Sequence, residues 1–378
     1  MAERPLIAHL LRRATFGPTA GEVDAAERIG YRAALDRLLR PPGTDAAGTP
    51  PPVLGADPAQ GLPAAATRDQ RQQAQQARRD QIRTLTQWWV GRMVAADDQL
   101  AEKLVFFWHG HWATSVEKVK VAGLMLNQQN QFRRYGRADF ANLARAMLRD
   151  PALIIWLDGQ RNTKQAPNEN LARELMELFT LGVGHYTEDD VKAGARALTG
   201  WTLDRATGAA TVSPRRHDTG AKTILGITAN HDSDSYVDIL LRQPAHAGFL
   251  AERLWFRFAS GEPMPAATRD RLADAYRAAN RDVTVLVREL FLDEAFQKTS
   301  GQLVKQPIEW AVGAMRQLRI GLATMPDKDQ QRLLAGLGAL DQVPLKPPSV
   351  GGWPAGAAWL TTSSAQARLR MADELAAL

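Results

Sequence analysis

Two histidines one glycine apart, inside the aromatic run FFWHGHWATS (residues 106–115), have the types and spacing to do chemistry. Neutral imidazole is the commonest protein metal ligand, and His-x-His can grip one ion when the residue between lets the rings converge. Glu102 lies two helical turns before His109, on the stripe of Val105 and Phe106, where it could orient an imidazole from behind the ligands. Gly110 reads as a helix terminator, which leaves His111 just past the helix end. The alternative is a packed pair, one imidazole satisfied by a carboxylate and the other capping the helix.

A second constellation is PNENLARELMELFTLGVG (167–184). Asn168 is a good N-cap and Gly182 a good stop, with Leu171, Leu175 and Leu178 as the buried stripe. Asn170, Glu174 and Glu177 share an adjoining stripe, while Glu169 and Arg173 make an i, i+4 pair. Two carboxylates one turn apart, with Arg173 beside them, could bind a cation or serve as acid and base. Solvated glutamates with salt-bridge partners are the bland alternative. RRHDTGAKTILG (215–226) adds an adjacent His217 and Asp218, which could coordinate an ion or simply form a turn with Lys222 nearby. In NQQNQFRRYG (127–136), Asn127, Gln131 and Arg134 fall about a turn apart, a network if buried.

The elements that must hold these groups are mostly helical. Apolar periodicity predicts a short helix from Ile7 to Gly17, one from Thr19 to Leu39, and a long one from Arg68 to Met93 that turns apolar at Leu85. Further helices are expected near 97–109, 118–135, 138–148, 168–181, 187–198, 246–259, 266–278, 282–290 and 305–320. Residues 41–66, rich in Pro, Gly and Ala, read as a linker or excursion with no reason to pack. Over 200–230 short alternating runs and turn residues predict a small β-hairpin insertion, with β character reaching toward 245. The fold expected is one long, mainly α, multi-helix domain spanning 1–378.

Composition narrows the chemistry. The 378 residues are 45% hydrophobic and 23% charged, enough to bury a large interior, and the net charge is +6. With no cysteine there are no disulfides, thiolate metal sites or cysteine nucleophiles, so a metal would be held by nitrogen and oxygen. The arginines alternate with acids at helical spacing, which argues against nucleic acid, and no apolar run is long enough to span a membrane. The N-terminal stretch lacks a signal peptide's pattern. A cytoplasmic protein is expected, or an exported one whose leader has been removed. Phosphate-binding and Rossmann glycine motifs, H-E-x-x-H and G-x-S-x-G are absent.

Taken in order, HLLRRATFGPT (9–19), EKLVFFWHGHWATS (102–115), LDGQRN (157–162), the 167–191 segment, ARALTGW (195–201), RRHDTGAKTILG (215–226) and KPPSVGGWPAGAAWLTTSSAQAR (346–368) closely resemble the bacterial domain of unknown function 1800 family. The resemblance covers nearly the whole chain. It implies one helical domain and no particular reaction. Relatives often carry an export leader and are often encoded beside sulfatase-like proteins, which implies a sulfatase-like partner. Where the family often reads His-Pro, this chain has Gln243-Pro244. The family's signature positions fall on His109, His111, Asn168, Glu169, Glu174, Glu177, His217 and Asp218, residue types that are costly to bury unless paired or coordinating.

Three functions are compatible with these residues. The first is a metal-dependent enzyme using Fe, Mn or Zn, with His109, His111, Glu174, Glu177, His217 and Asp218 as the ligand pool and Glu174, Glu177 and Arg173 as catalytic groups. The second is a haem-binding oxidoreductase with His109 or His111 as axial ligand or distal base and Arg134 or Arg173 assisting. The third is a non-catalytic scaffold, with the 41–80 excursion and Trp353 and Trp359 as partner contacts.

Overall fold

The helix Gln99–His111 lies at the centre of the molecule, and every residue of it except Ala101 is buried. A helix that is apolar nearly all round has no solvent face to offer, so others must enclose it. The helices Arg68–Ala95 and Ala122–Tyr135 pack on it, and the first helix, Glu3–Ala14, also touches it. The computed structural model describes residues 3–40, 49–204 and 207–378. One continuous apolar core includes residues from Leu10 to Leu375. The chain is mainly α-helical with a small β insertion, as its periodicity predicts. Among the described residues no helix is long and apolar enough to cross a membrane.

The insertion is a pair of two-stranded antiparallel ribbons. Strand β1 (Trp201–Asp204) pairs with β2 (Ala209–Val212), and β3 (Lys222–Ile224) with β4 (Ile227–Ala229). Beyond 230 the expected β character gives way to a helix, Ser233–Leu241, because Asp232 caps it: its Oδ1 accepts from Ser235 N at 2.9 Å.

Other expectations are revised by local backbone and capping. The helix expected from Thr19 to Leu39 is two, Ala20–Ile29 and Tyr31–Leu39, broken at Gly30, whose φ of 83° suits only glycine. Glu3 Oε1 accepts the freed Tyr31 N–H at 2.7 Å. The segment 49–66 does pack, along the long helix. Arg78 pairs with Asp57, Gln81 Nε2 donates to Ala56 O at 3.1 Å, and Trp88 Nε1 donates to Thr49 O at 3.0 Å. The remainder of the expected linker, 41–48, lies outside the described residues. A helix at Asp327–Ala339, unforeseen in the pattern, supports the segment leading to Leu345.

Trp353 and Trp359 are buried, so neither offers a contact surface. The Trp353 ring lies 6.2 Å from Phe106 and 5.3 Å from His109 between centroids.

Candidate functional site

The two histidines of the aromatic run are fully enclosed but do not converge. The helix continues through Gly110 and ends only after His111, so the residues sit two apart on a regular helix and project to different sides. His109 Nε2 accepts the Leu345 N–H at 3.1 Å, which puts its proton on Nδ1. His111 Nε2 donates to Phe179 O at 3.0 Å, which leaves its lone pair on Nδ1. Burial lowers His109 to about 3 and holds His111 well below the usual imidazole value, with Arg253 adding to the effect. Both are neutral at physiological pH, packed by Trp89, Trp353, Phe107 and Trp112. Glu102 does not orient either ring, because Arg92 and Arg133 hold its buried carboxylate.

The glutamate segment departs from α-geometry. A short α-helix, Asn170–Glu174, passes into a π-helix, Leu175–Thr180, closed by Leu181 N donating to Met176 O at 2.9 Å. The extra residue per turn moves the inward position from Leu178, which is half-buried, to Phe179, which is fully buried. Glu174 and Glu177 remain neighbours. Burial and then the Glu177 charge raise the Glu174 carboxyl, while Glu177 Oε2 accepts from Tyr186 OH at 2.7 Å. Arg173 ties this segment to the next helix through Glu169 and Glu188, each within 2.9 Å, with the expected i, i+4 pair as one arm.

His217 and Asp218 are set in the β insertion as turn residues. His217 Nδ1 donates to Thr199 O at 2.9 Å, and Asp218 pairs with Arg196 at 2.7 Å. Lys222 Nζ donates to the backbone of Asp218 at 2.6 Å and to Asn230 and His231. Asn127 and Arg134 are exposed, and the Arg134 guanidinium lies over Tyr135. The structure therefore does not bring His109, His111, Glu174, Glu177, His217 and Asp218 into one place. Among the described residues, no group of three or more His, Asp or Glu side chains is placed to hold a metal ion.

A different set of side chains does converge. Arg12, Arg13, Lys103, Arg257, Lys305 and Glu309 line one small cavity together with Phe16 and Leu303. Five are cations and one is a carboxylate. Arg13 comes from the last turn of the first helix and Lys103 from the central helix. Arg257 comes from the last turn of helix Pro244–Phe258. Lys305 precedes helix Pro307–Leu318, and Glu309 lies in its first turn. Glu309 is fixed there because its Oε2 accepts the Gln306 N–H at 3.0 Å. Lys103 Nζ lies 2.6 Å from Glu309 Oε1 and donates to Thr15 O at 3.2 Å.

Glycines let the walls close. A Cβ on Gly313 would meet Phe16 O at 2.7 Å, so the loop after the first helix crosses helix Pro307–Leu318 only over a bare backbone. A Cβ on Gly110 would meet Arg257 Nη2 at 3.0 Å, and one on Gly352 would meet Gly110 O at 2.5 Å.

The charges in this cavity are not balanced. Arg13 Nε and Arg257 Nη1 are fully enclosed and have no hydrogen-bond partner. Burial lowers Arg257 to about 10 and lowers Arg13, Lys103 and Lys305 as well, with Glu309 opposing it for each of the four. Burial alone would raise Glu309; Lys103 and Arg257 outweigh it and hold the carboxyl below its usual range. A larger open cleft of about 920 Å³ beside the Leu181–Val183 turn also carries arginines: Arg269 and Arg277 each pair with a carboxylate, and Arg281 faces Asp139 at 3.4 Å with its enclosed Nε unbonded.

A family model described as a protein of unknown function, DUF1800, matches residues 9–377. The chain belongs to the DUF1800 family. The matched region contains every residue of the cation cavity as well as the histidine and glutamate signatures. No curated protein and no solved structure matches the chain.

In this DUF1800 chain, the converging residues are ones that sequence patterns did not single out. Arg13 and Lys103 stand inside the signature strings HLLRRATFGPT and EKLVFFWHGHWATS, overshadowed by the histidines. Lys103 did carry a signal: a lysine in a helix with apolar residues on every side has no solvated face to occupy. Arg257, Lys305 and Glu309 lie outside those strings and carry none beyond their type.

Proposed function

We propose that this protein recognises a small anion, with the cavity between Arg13, Lys103, Arg257 and Lys305 as the binding site. One observation carries this reading: five cations surround a cavity that supplies a single carboxylate, and two enclosed guanidinium nitrogens are left without an acceptor. Unpaired buried charge is expensive, and an anion bridging the guanidinium groups would relieve it through charge-assisted hydrogen bonds. Arginine suits this role because its planar fork matches oxyanion geometry. The enclosed volume is about 10 Å³ for a water-sized occupant, so an oxyanion needs the solvent side to give. The exposed Arg12 and half-buried Lys305 are on that side and have long, flexible side chains.

The readings that place Fe, Mn, Zn or haem on His109 and His111 have less support. The imidazoles diverge, each spends its Nε2 on a backbone group, and Arg134 lies on the surface. A scaffold reading loses its tryptophan contacts, since both are buried.

Calorimetric titration of inorganic phosphate into the intact protein at low ionic strength tests the proposal. Saturable binding is expected, weakened at least about tenfold in Arg257→Met, the loss of one charged hydrogen-bonding group. Equal binding by wild type and Arg257→Met would count against this cavity.

A further inference from the structure

The cavity's one carboxylate constrains which anion it accepts. Glu309 is 5% exposed and lines the cavity beside the unpartnered guanidinium groups. Its Oε1 takes Lys103 and its Oε2 takes the Gln306 N–H, yet an ionised carboxylate has about four acceptor sites. Each oxygen therefore keeps a lone pair. Lys103 and Arg257 hold the group ionised against burial, so at neutral pH it can accept a hydrogen bond and cannot donate one.

Resting on the anion-site reading, we infer that the ligand is a phosphate group bearing an ionisable P–OH, either free phosphate or a phosphomonoester, selected by Glu309. The cations would take the unprotonated oxygens and Glu309 would accept the P–OH proton. Sulfate and phosphodiesters carry no such proton at neutral pH. In this cavity they would set an oxygen lone pair against a carboxylate lone pair, a repulsive contact added to an unmet acceptor. A simple carboxylate ligand would meet the same lone-pair repulsion from Glu309. A site of cations alone would have no basis for this choice, which is what makes the lone acid informative.

The experiment compares four probes by calorimetry on the full chain at pH 6, where inorganic phosphate and about half of a phosphomonoester keep a P–OH, and at constant ionic strength: inorganic phosphate, phenyl phosphate, sulfate and dimethyl phosphate. Phosphate is expected to bind roughly 10- to 100-fold tighter than sulfate, the penalty for an unmet buried group. Dimethyl phosphate should bind no better than sulfate. Binding of phenyl phosphate as tight as phosphate identifies the ligand as a phosphorylated molecule, and much weaker binding identifies the free ion; both fit the inference. Glu309→Gln, whose amide can donate to an unprotonated oxygen, should bring sulfate and phosphate close to parity. Sulfate binding as tight as phosphate in the wild type overturns the selection by Glu309 while leaving an anion site. No binding of any probe overturns the anion-site reading itself. The wild-type comparison decides the matter even if the variant fails to fold.

Discussion

Arg257 Nη2 lies against the bare backbone of Gly110, at 3.0 Å from where a Cβ would stand. The glycine of the His-Gly-His motif thus serves the cation cavity, giving the guanidinium room against the central helix, where it lies over the Phe106 ring at 5.5 Å. Gly110→Ala would ordinarily favour a helix by about 0.5–1 kcal/mol. Here the added methyl presses on Arg257. The variant is expected to keep its helical circular dichroism but to bind phosphate more weakly, by up to about tenfold, because the guanidinium must give by a few tenths of an ångström. Unchanged affinity would count against the close fit of Arg257 to the bare Gly110 backbone as a determinant of binding.

Removing an acid and removing a base from the cavity should have opposite consequences for stability. Glu309→Gln breaks the buried pair with Lys103 and leaves the cations unopposed, so it should destabilise the anion-free protein by about 3–5 kcal/mol. Arg257→Met removes a cation with an unpartnered nitrogen, so Tm without anion should hold or rise. Thermal unfolding in phosphate-free buffer checks both. A large loss of Tm in Arg257→Met with none in Glu309→Gln would contradict the charge imbalance.

The buried histidines predict acid sensitivity. His109 titrates at about 3 and His246 at about 4 in the folded chain, lowered by burial, and His111 is lowered likewise. The unfolded chain takes up these protons near pH 6.5. Their contribution to stability is therefore full above about pH 6.5 and lost as pH falls toward 4, at about 1.4 kcal/mol per pH unit for each. Chemical unfolding at pH 7.5 and 5 should show a marked loss at the lower pH. Equal stability at both would mean that the rings are not held neutral.

Asp150 opposes that trend. It caps the helix Pro151–Trp156 and accepts from Gln128 at 2.8 Å, yet burial raises it to about 7. An acid raised above its unfolded value binds its proton in the folded state first, so its contribution falls as pH rises from about 4 through 7. Three histidines outweigh one aspartate, but the term can be isolated. Asp150→Asn keeps a capping oxygen without the charge. Its stability relative to wild type should be more favourable at pH 8 than at pH 5. A difference that does not change with pH would sink the assignment.

Much of the fold was legible because long helices repeat their apolar residues at a steady period, and the β insertion announced itself through its turn residues. What was lost depended on single backbone events. Gly30 splits one expected helix, and the π-turn after Glu174 replaces Leu178 by Phe179 on the inward face, a shift that a 3.6-residue period cannot display. The site was harder. His109 and His111 look like ligands in sequence because their type and spacing are visible there, whereas the groups that satisfy them are backbone atoms of Leu345 and Phe179. Lys103 meets Glu309 only through the tertiary fold. A charged residue's burial, unlike its identity, is set by what packs over it.

The location of the anion is the central claim, and diffraction tests it most directly. Arsenate is a tetrahedral oxyanion that, like phosphate, keeps a proton near neutral pH and scatters anomalously. Crystals soaked with arsenate should show an anomalous peak enclosed by Arg13, Arg257 and Lys305, with Glu309 on one face. A peak only elsewhere, with the side chains of this cavity unmoved and no arsenic between them, would contradict it.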